Sequence, residues 1–119
     1  MTATERMQHI VRHLDSKQAR DLKALKVSGL TILADYFVIC SATSTTQVRA
    51  LADTLEEKME ALGEQVLQKE GKQGLNWLLM DYSDVIVHIF YQETREFYGL
   101  EKLWTDAEEL PLEDILEED

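Results

Sequence analysis

The sequence predicts a mixed α/β domain of the α+β kind, with a sheet of about five strands flanked by helices in the order αββαβββα. Two segments carry a capping signal followed by apolar residues at helical spacing. Between and after them lie short runs rich in β-branched and aromatic residues, bounded by Gly, Asp and Ser. Helices and strands in this order pack as helices against one sheet. The 119 residues contain no linker and no internal repeat, and suit one domain with one core.

Thr2 followed by Glu5 is a capping-box pattern, and Met7, Ile10, Val11 and Leu14 then recur at i, i+3, i+4 and i+7. Arg20 to Val27 reads as a strand that Gly29 ends. Tyr36 to Cys40 reads as a buried strand. Ser44 with Gln47 is a second capping signal, and Val48, Leu51, Ala52, Leu55, Met59 and Leu62 keep helical spacing up to Gly63, placed as a C′ glycine. A short strand follows at Gln65 to Lys69, then a loop with Gly71 and Gly74. Leu75 to Met80 and Val85 to Tyr91 are apolar strands joined by a turn at Asp81 to Asp84. Thr94 to Trp104 returns to helical spacing through Phe97, Leu100, Leu103 and Trp104. Beyond Pro111, Leu112, Ile115 and Leu116 form one amphipathic turn or none. The domain is expected over 1–104, with 105–119 as an acidic C-terminal tail.

Charge narrows the partners. Residues 1–104 hold all 12 Lys and Arg against 15 acids, whereas 105–119 hold eight acids and no base. The body is therefore mildly acidic, and its bases are scattered. Nucleic-acid binding needs a basic face to displace counterions, so direct DNA or RNA contact is disfavoured and a basic protein partner suits the chain better. No apolar run approaches membrane-spanning length, and the N-terminus lacks a signal pattern, which implies a cytoplasmic protein. The lone Cys40 suits a reducing compartment.

Residues that carry chemistry elsewhere read as structural here. Cys40 sits in an apolar strand with no nearby His, the pattern of a buried thiol. His9 and His13 share a helix face but lack a third metal ligand. His88 lies between Val87 and Ile89, so alternation turns it to the opposite face, half-exposed or satisfied in a core. Asp35, Asp81 and Asp84 stand at strand ends, where carboxylates could hold magnesium for nucleotidyl transfer. Yet Asp81 and Asp84 straddle a turn, and no glycine-rich phosphate cradle precedes the Ser44 helix. No catalytic constellation, metal site or cofactor is expected.

The aromatic residues Trp77, Tyr82, Tyr91, Phe97, Tyr98 and Trp104 all fall in the last third of the chain. On a strand, Trp77 and Leu79 face one way while Leu78 and Met80 face the other. Both sets are apolar, so one face covers the core and the other requires a helix or a partner. Phe97 and Tyr98 point about 100° apart on a helix, so if Phe97 packs inward Tyr98 is partly exposed. Trp77 to Trp104 thus reads as a docking surface, for which exposed Trp and Tyr are typical anchors.

Several ordered blocks resemble the ribosomal silencing factor family, also called the Iojap family. They are Ala34-Asp35-Tyr36-Phe37-Val38-Ile39-Cys40-Ser41, Ser44-x-x-Gln47-Val48 and Glu70-Gly71. Trp77-x-Leu79-x-Asp81-Tyr82-x-Asp84-Val85-x-Val87-His88-x-Phe90 and Arg95-x-Phe97-Tyr98-x-Leu100-Glu101-x-Leu103-Trp104 follow. The resemblance covers about residues 4–107 and leaves the acidic tail outside the shared core. It implies a fold related to nucleotidyltransferases without their activity. It also implies binding to the large ribosomal subunit through the universal large-subunit protein fourteen, a steric block to subunit joining, repression of translation under nutrient limitation, and a homodimer when free. It carries the contact role to Trp77, Leu78, Asp81, Tyr82, Asp84, Tyr98 and Glu101, with Leu100 and Trp104 in support. Ser83 departs from the glycine usual in that turn, at a cost if the turn needs positive φ. Two rival expectations are a magnesium-dependent nucleotidyltransferase and a plain oligomerisation module.

Overall fold

The computed structural model describes residues 1–72 and 74–117, Lys72 by its backbone alone. The elements run α1 (Ala3–Ser16), β1 (Arg20–Lys26), β2 (Tyr36–Ala42), α2 (Thr45–Ala61), β3 (Gln68–Lys72), β4 (Trp77–Asp81) and β5 (Val85–Tyr91). After these come α3 (Gln92–Tyr98), α4 (Leu100–Leu103), β6 (Glu108–Glu109) and α5 (Leu112–Leu116). The first eight follow the expected order. The strands form one sheet ordered β3-β4-β5-β2-β1-β6, in which β2 and β5 run parallel and every other pair is antiparallel.

Local signals start both long helices. The Thr2 hydroxyl accepts from the Glu5 amide at 3.1 Å while the Glu5 carboxylate accepts from the Thr2 amide at 2.9 Å, a complete capping box. The Ser44 hydroxyl accepts from the Gln47 amide at 3.0 Å, and Gly63 beyond the C-terminus of α2 takes φ 82°. The apolar stripes Met7, Ile10, Val11, Leu14 and Val48, Leu51, Ala52, Leu55, Met59 are buried on one sheet face, against Val38, Cys40, Met80, Val87 and Ile89. Truncating any of the larger of these side chains costs about 2–5 kcal/mol, so this layer dominates stability.

Three expectations from sequence are corrected. The third strand lies at Gln68–Lys72, three residues later than read, because pairing with β4 sets its register from Gln68↔Asp81 to Lys72↔Trp77. Gly71 is therefore inside a strand, where an added Cβ would lie 3.0 Å from Leu75 Cδ2. The single helix expected over Thr94 to Trp104 is two short ones, broken where Gly99 adopts φ 62°. The sheet gains a sixth, two-residue strand, since Glu108 and Glu109 pair with Lys26 and Leu25. The segment after Trp104 then crosses to α1, where Ile115 is buried and its carbonyl accepts from Arg12 Nε at 3.2 Å.

The β4–β5 turn is fixed from two sides. Both Asp84 carboxylate oxygens bind Arg6 Nη1 of α1, at 2.6 and 2.7 Å, and Arg6 also pairs with Glu64 beyond α2. Within the turn the Ser83 amide donates to Asp81 Oδ1 at 2.8 Å, and Ser83 is held at φ 77°. A left-handed conformation is costly for any residue with a Cβ. Ser83→Gly keeps the amide donor and relieves that strain. We expect it to stabilise the fold by roughly 0.5–1 kcal/mol, read as a higher denaturant midpoint at unchanged slope.

Candidate docking face

The sheet face away from α1 and α2 is also apolar. Alternation turns Phe37 and Ile39 of β2, Trp77 and Leu79 of β4, and Ile86, His88 and Phe90 of β5 toward it. With Leu25, Val27, Ala34 and Leu100 they form a second cluster, against which Tyr98, Trp104 and Ala107 pack. Among the described residues, the helices on this side are the short α3 and α4. Phe37, Ile39 and Phe90 are buried beneath them, while Trp77, Leu79, Ile86, Tyr98 and Trp104 stay half-buried.

The aromatic rings form one connected layer. Trp77 stacks on Phe90 at 5.0 Å between centroids and meets Tyr98 at 4.9 Å. Phe37 sets its edge against both His88 at 4.9 Å and Trp104 at 5.1 Å. Such pairs add about 0.5–1.5 kcal/mol each beyond their burial, which holds large side chains rigid at a surface. Outside this layer, Phe97 is 84% exposed and Leu103 77% exposed. The sequence alternative with Phe97 inward is therefore reversed: Tyr98 packs on Trp77, and Phe97 projects outward.

A polar network pins the covering helices. Arg95 of α3 donates from Nε to Glu101 at 2.7 Å, and from Nη1 to the Asp21 carbonyl at 2.6 Å and the Ser41 hydroxyl at 2.8 Å. Lys23 Nζ donates to the other Glu101 oxygen at 2.8 Å. Arg95, opposed by partial burial and helped by Lys23, holds the Glu101 carboxyl down to about 2. One guanidinium thus ties α3 to β1, β2 and α4. The network also lines the cleft at the C-terminal ends of β2 and β5, where Arg95, Glu101 and Ser41 are already bonded within the protein.

The nine residues singled out from sequence do not all share this face. Trp77, Tyr98, Leu100, Glu101 and Trp104 come together on it, with Asp81 at its β4 end. Leu78 turns to the helix side and is buried there. Tyr82 is 2% exposed beneath that same layer, where burial, with Glu56 and Glu60, pushes its phenol up. Asp84 is committed to Arg6. Of the other candidates, Cys40 is fully buried and its thiol is pushed up to about 12 by loss of solvent. His9 and His13 stack at 6.1 Å, and desolvation lowers His13. Among the described residues, no three of His, Cys, Asp and Glu cluster as metal ligands, and no helix is long and apolar enough to cross a membrane.

A family model described as ribosomal silencing factor during starvation matches residues 1–119. The chain belongs to the ribosomal silencing factor family. The match takes in the acidic segment that the sequence blocks had left outside the shared core. Ribosomal silencing factor RsfS of Halalkalibacterium halodurans is 37% identical over 116 residues, covering 98% of this chain and 99% of that one. The protein of the same name from Bacillus subtilis is 43% identical over 101 residues, covering 85% and 83%. A crystal structure of a Chromobacterium violaceum protein superposes with a TM-score of 0.84 at 30% identity, covering 88% of each chain.

The sheet face away from α1 and α2 is the one with least cover. Sequence reasoning missed four residues of it: Leu79 and Ile86, half-buried on the open sheet face, and the outward Phe97 and Leu103. Alternation along β4 and β5 carried the first two, since Ile86, His88 and Phe90 recur at every second position. The Gly99 break hid the others, because it changes the helical phase between Phe97 and Leu103. Integrity of the Arg95 network is directly testable. Glu101→Gln is expected to destabilise the fold by about 1 kcal/mol at neutral pH. A depressed carboxyl contributes stability above its ordinary value of 4.5, and this is lost as pH falls toward about 2. Denaturant midpoints of wild type and variant should therefore converge across that interval.

Proposed function

We propose that the open sheet face is a docking surface for the large ribosomal subunit, engaging its universal large-subunit protein fourteen. Bound there, the protein sterically keeps the small subunit from joining and represses translation under nutrient limitation. The observation that carries this is the aromatic layer in which Trp77, Tyr98 and Trp104 lie half-buried over the buried Phe90 and Phe37, flanked by the exposed Phe97 and Leu103. Large, preorganised aromatic anchors beside a lightly covered apolar face are what an interface core requires. Trp77, Tyr98 and Trp104 are its anchors, supported by Leu100 on the same face, with Asp81 and Glu101 at its edge and Leu78, Tyr82 and Asp84 holding it from behind.

The body's charge supports a protein partner over ribosomal RNA. A mildly acidic surface approaches a basic ribosomal protein readily, and phosphate poorly. Action by steric block needs neither catalysis nor a cofactor, and the Asp81 and Asp84 carboxylates that a nucleotidyltransferase would use are bonded within the protein. When free in the cytoplasm, the protein covers Phe97 and Leu103 by pairing with a second copy. Docking then rests on residues 1–104, while the acidic segment after Trp104 serves the fold through β6 and the buried Ile115.

Gradient co-sedimentation with purified large subunits tests the reading. Trp77→Ala and Tyr98→Ala should each weaken binding about tenfold or more while remaining folded. Retention of wild-type binding by both would remove this face as the docking site.

A further inference from the structure

One polar atom sits inside the aromatic layer. His88 is 3% exposed in the middle of β5, and its Nδ1 accepts a hydrogen bond from Trp77 Nε1 at 3.1 Å. Accepting at Nδ1 requires that this nitrogen carry no proton, so the ring is neutral and protonated at Nε2. An imidazolium has donors at both nitrogens. It cannot accept from an indole, which only donates.

We propose that His88 is a positioning residue that locks the Trp77 indole in its docking orientation, and that protonation of this imidazole releases the indole and weakens capture of the large subunit. The proposal rests on the docking reading above. The geometry that supports it is local. Ile39 of β2 and Leu79 of β4 are the register partners of His88, and Phe37 closes one edge of the ring. Trp77 lies across β4 with its ring centroid 5.9 Å from that of the imidazole. The indole thus stacks on Phe90, meets Tyr98 at a tilt and donates to His88, and the bond to His88 depends on protonation of that ring.

The charged groups around this face are few. β4 contributes Asp81, which accepts from the Ser83 amide, and β2 contributes none beside Phe37, Ile39 and Ser41. Lys23 of β1 and Arg95 of α3 both donate to Glu101 of α4. On β3, Glu70 pairs in register with Leu79 and Lys72 with Trp77. Histidine is the side chain that ordinarily changes charge between about pH 5 and 8, so it is the natural sensor here.

The test uses the full chain. In 15N spectra of the free protein, the Trp77 indole resonance, assigned by Trp77→Phe, should stay fixed near neutral pH and shift only as pH is lowered below the ordinary histidine value of about 6.5, because burial and the bond accepted by the neutral ring both oppose protonation. In His88→Asn, whose side-chain oxygen replaces Nδ1 as a non-titrating acceptor, it should stay still. An indole that does not move in wild type, or moves equally in both proteins, overturns the inference, and the wild-type half needs no variant to fold. In co-sedimentation with purified large subunits, wild type should weaken roughly 2- to 10-fold more than His88→Asn over the same interval, the scale of one hydrogen bond. Parallel profiles, with Trp77→Ala impaired at both pH values, overturn this inference alone. Trp77→Ala binding like wild type at both would overturn it together with the docking reading.

Discussion

The structure depends on one constraint, the parallel pairing of β2 with β5 at the centre of the sheet. Parallel strands need a long crossover and are buried on both faces, so both strands read as nearly continuous apolar runs. The crossover from β2 to β5 delivers α2, which with α1 covers one face completely. The other face inherits the same apolar demand but receives only the seven-residue α3 and four-residue α4. A small chain that must build two apolar faces, yet can fully roof only one, exposes part of the second.

Charges are arranged to leave that surface to its aromatic residues. Arg6 gathers Asp84 and Glu64 on the helix side and so fixes the β4–β5 turn. Arg95 gathers Glu101, Ser41 and the Asp21 backbone at the opposite end of the sheet. Each guanidinium joins segments distant in sequence, and each uses the fork geometry that lysine lacks. Between the two lie Trp77, His88, Phe90 and Phe37. Among the described residues, the acids after Trp104 are exposed, Glu108 and Glu109 on the edge strand β6 and Glu113 and Asp114 on α5, which packs against α1 on the helix side.

Much of this was legible in the sequence, for identifiable reasons. Capping residues and unbroken 3.6 periodicity located α1 and α2, because both signals are local. The β-branched runs located β2 and β5, because burial on both faces leaves no polar positions to blur them. The third strand was displaced, since its polar residues Gln68–Lys72 follow β4 and carry no pattern of their own. The final helix was read as continuous, because spacing counts residues and cannot show that Gly99 turns left-handed. For the docking face, composition identified the right third of the chain. Inward and outward residues could not be separated there: alternation puts Leu78 and Leu79 on opposite faces, but the two are chemically alike, and only the fold shows that Leu78 is on the face α1 and α2 cover.

The central claim is that the lightly covered face, and not the helical one, meets the ribosome. Site-specific photocrosslinking from the position of Phe97, compared with that of Glu57 on the exposed side of α2, tests it most directly. The account predicts that a crosslinker at Phe97 attaches to a large-subunit protein in purified subunits, while one at Glu57 does not. Attachment from Glu57 with none from Phe97 would contradict it.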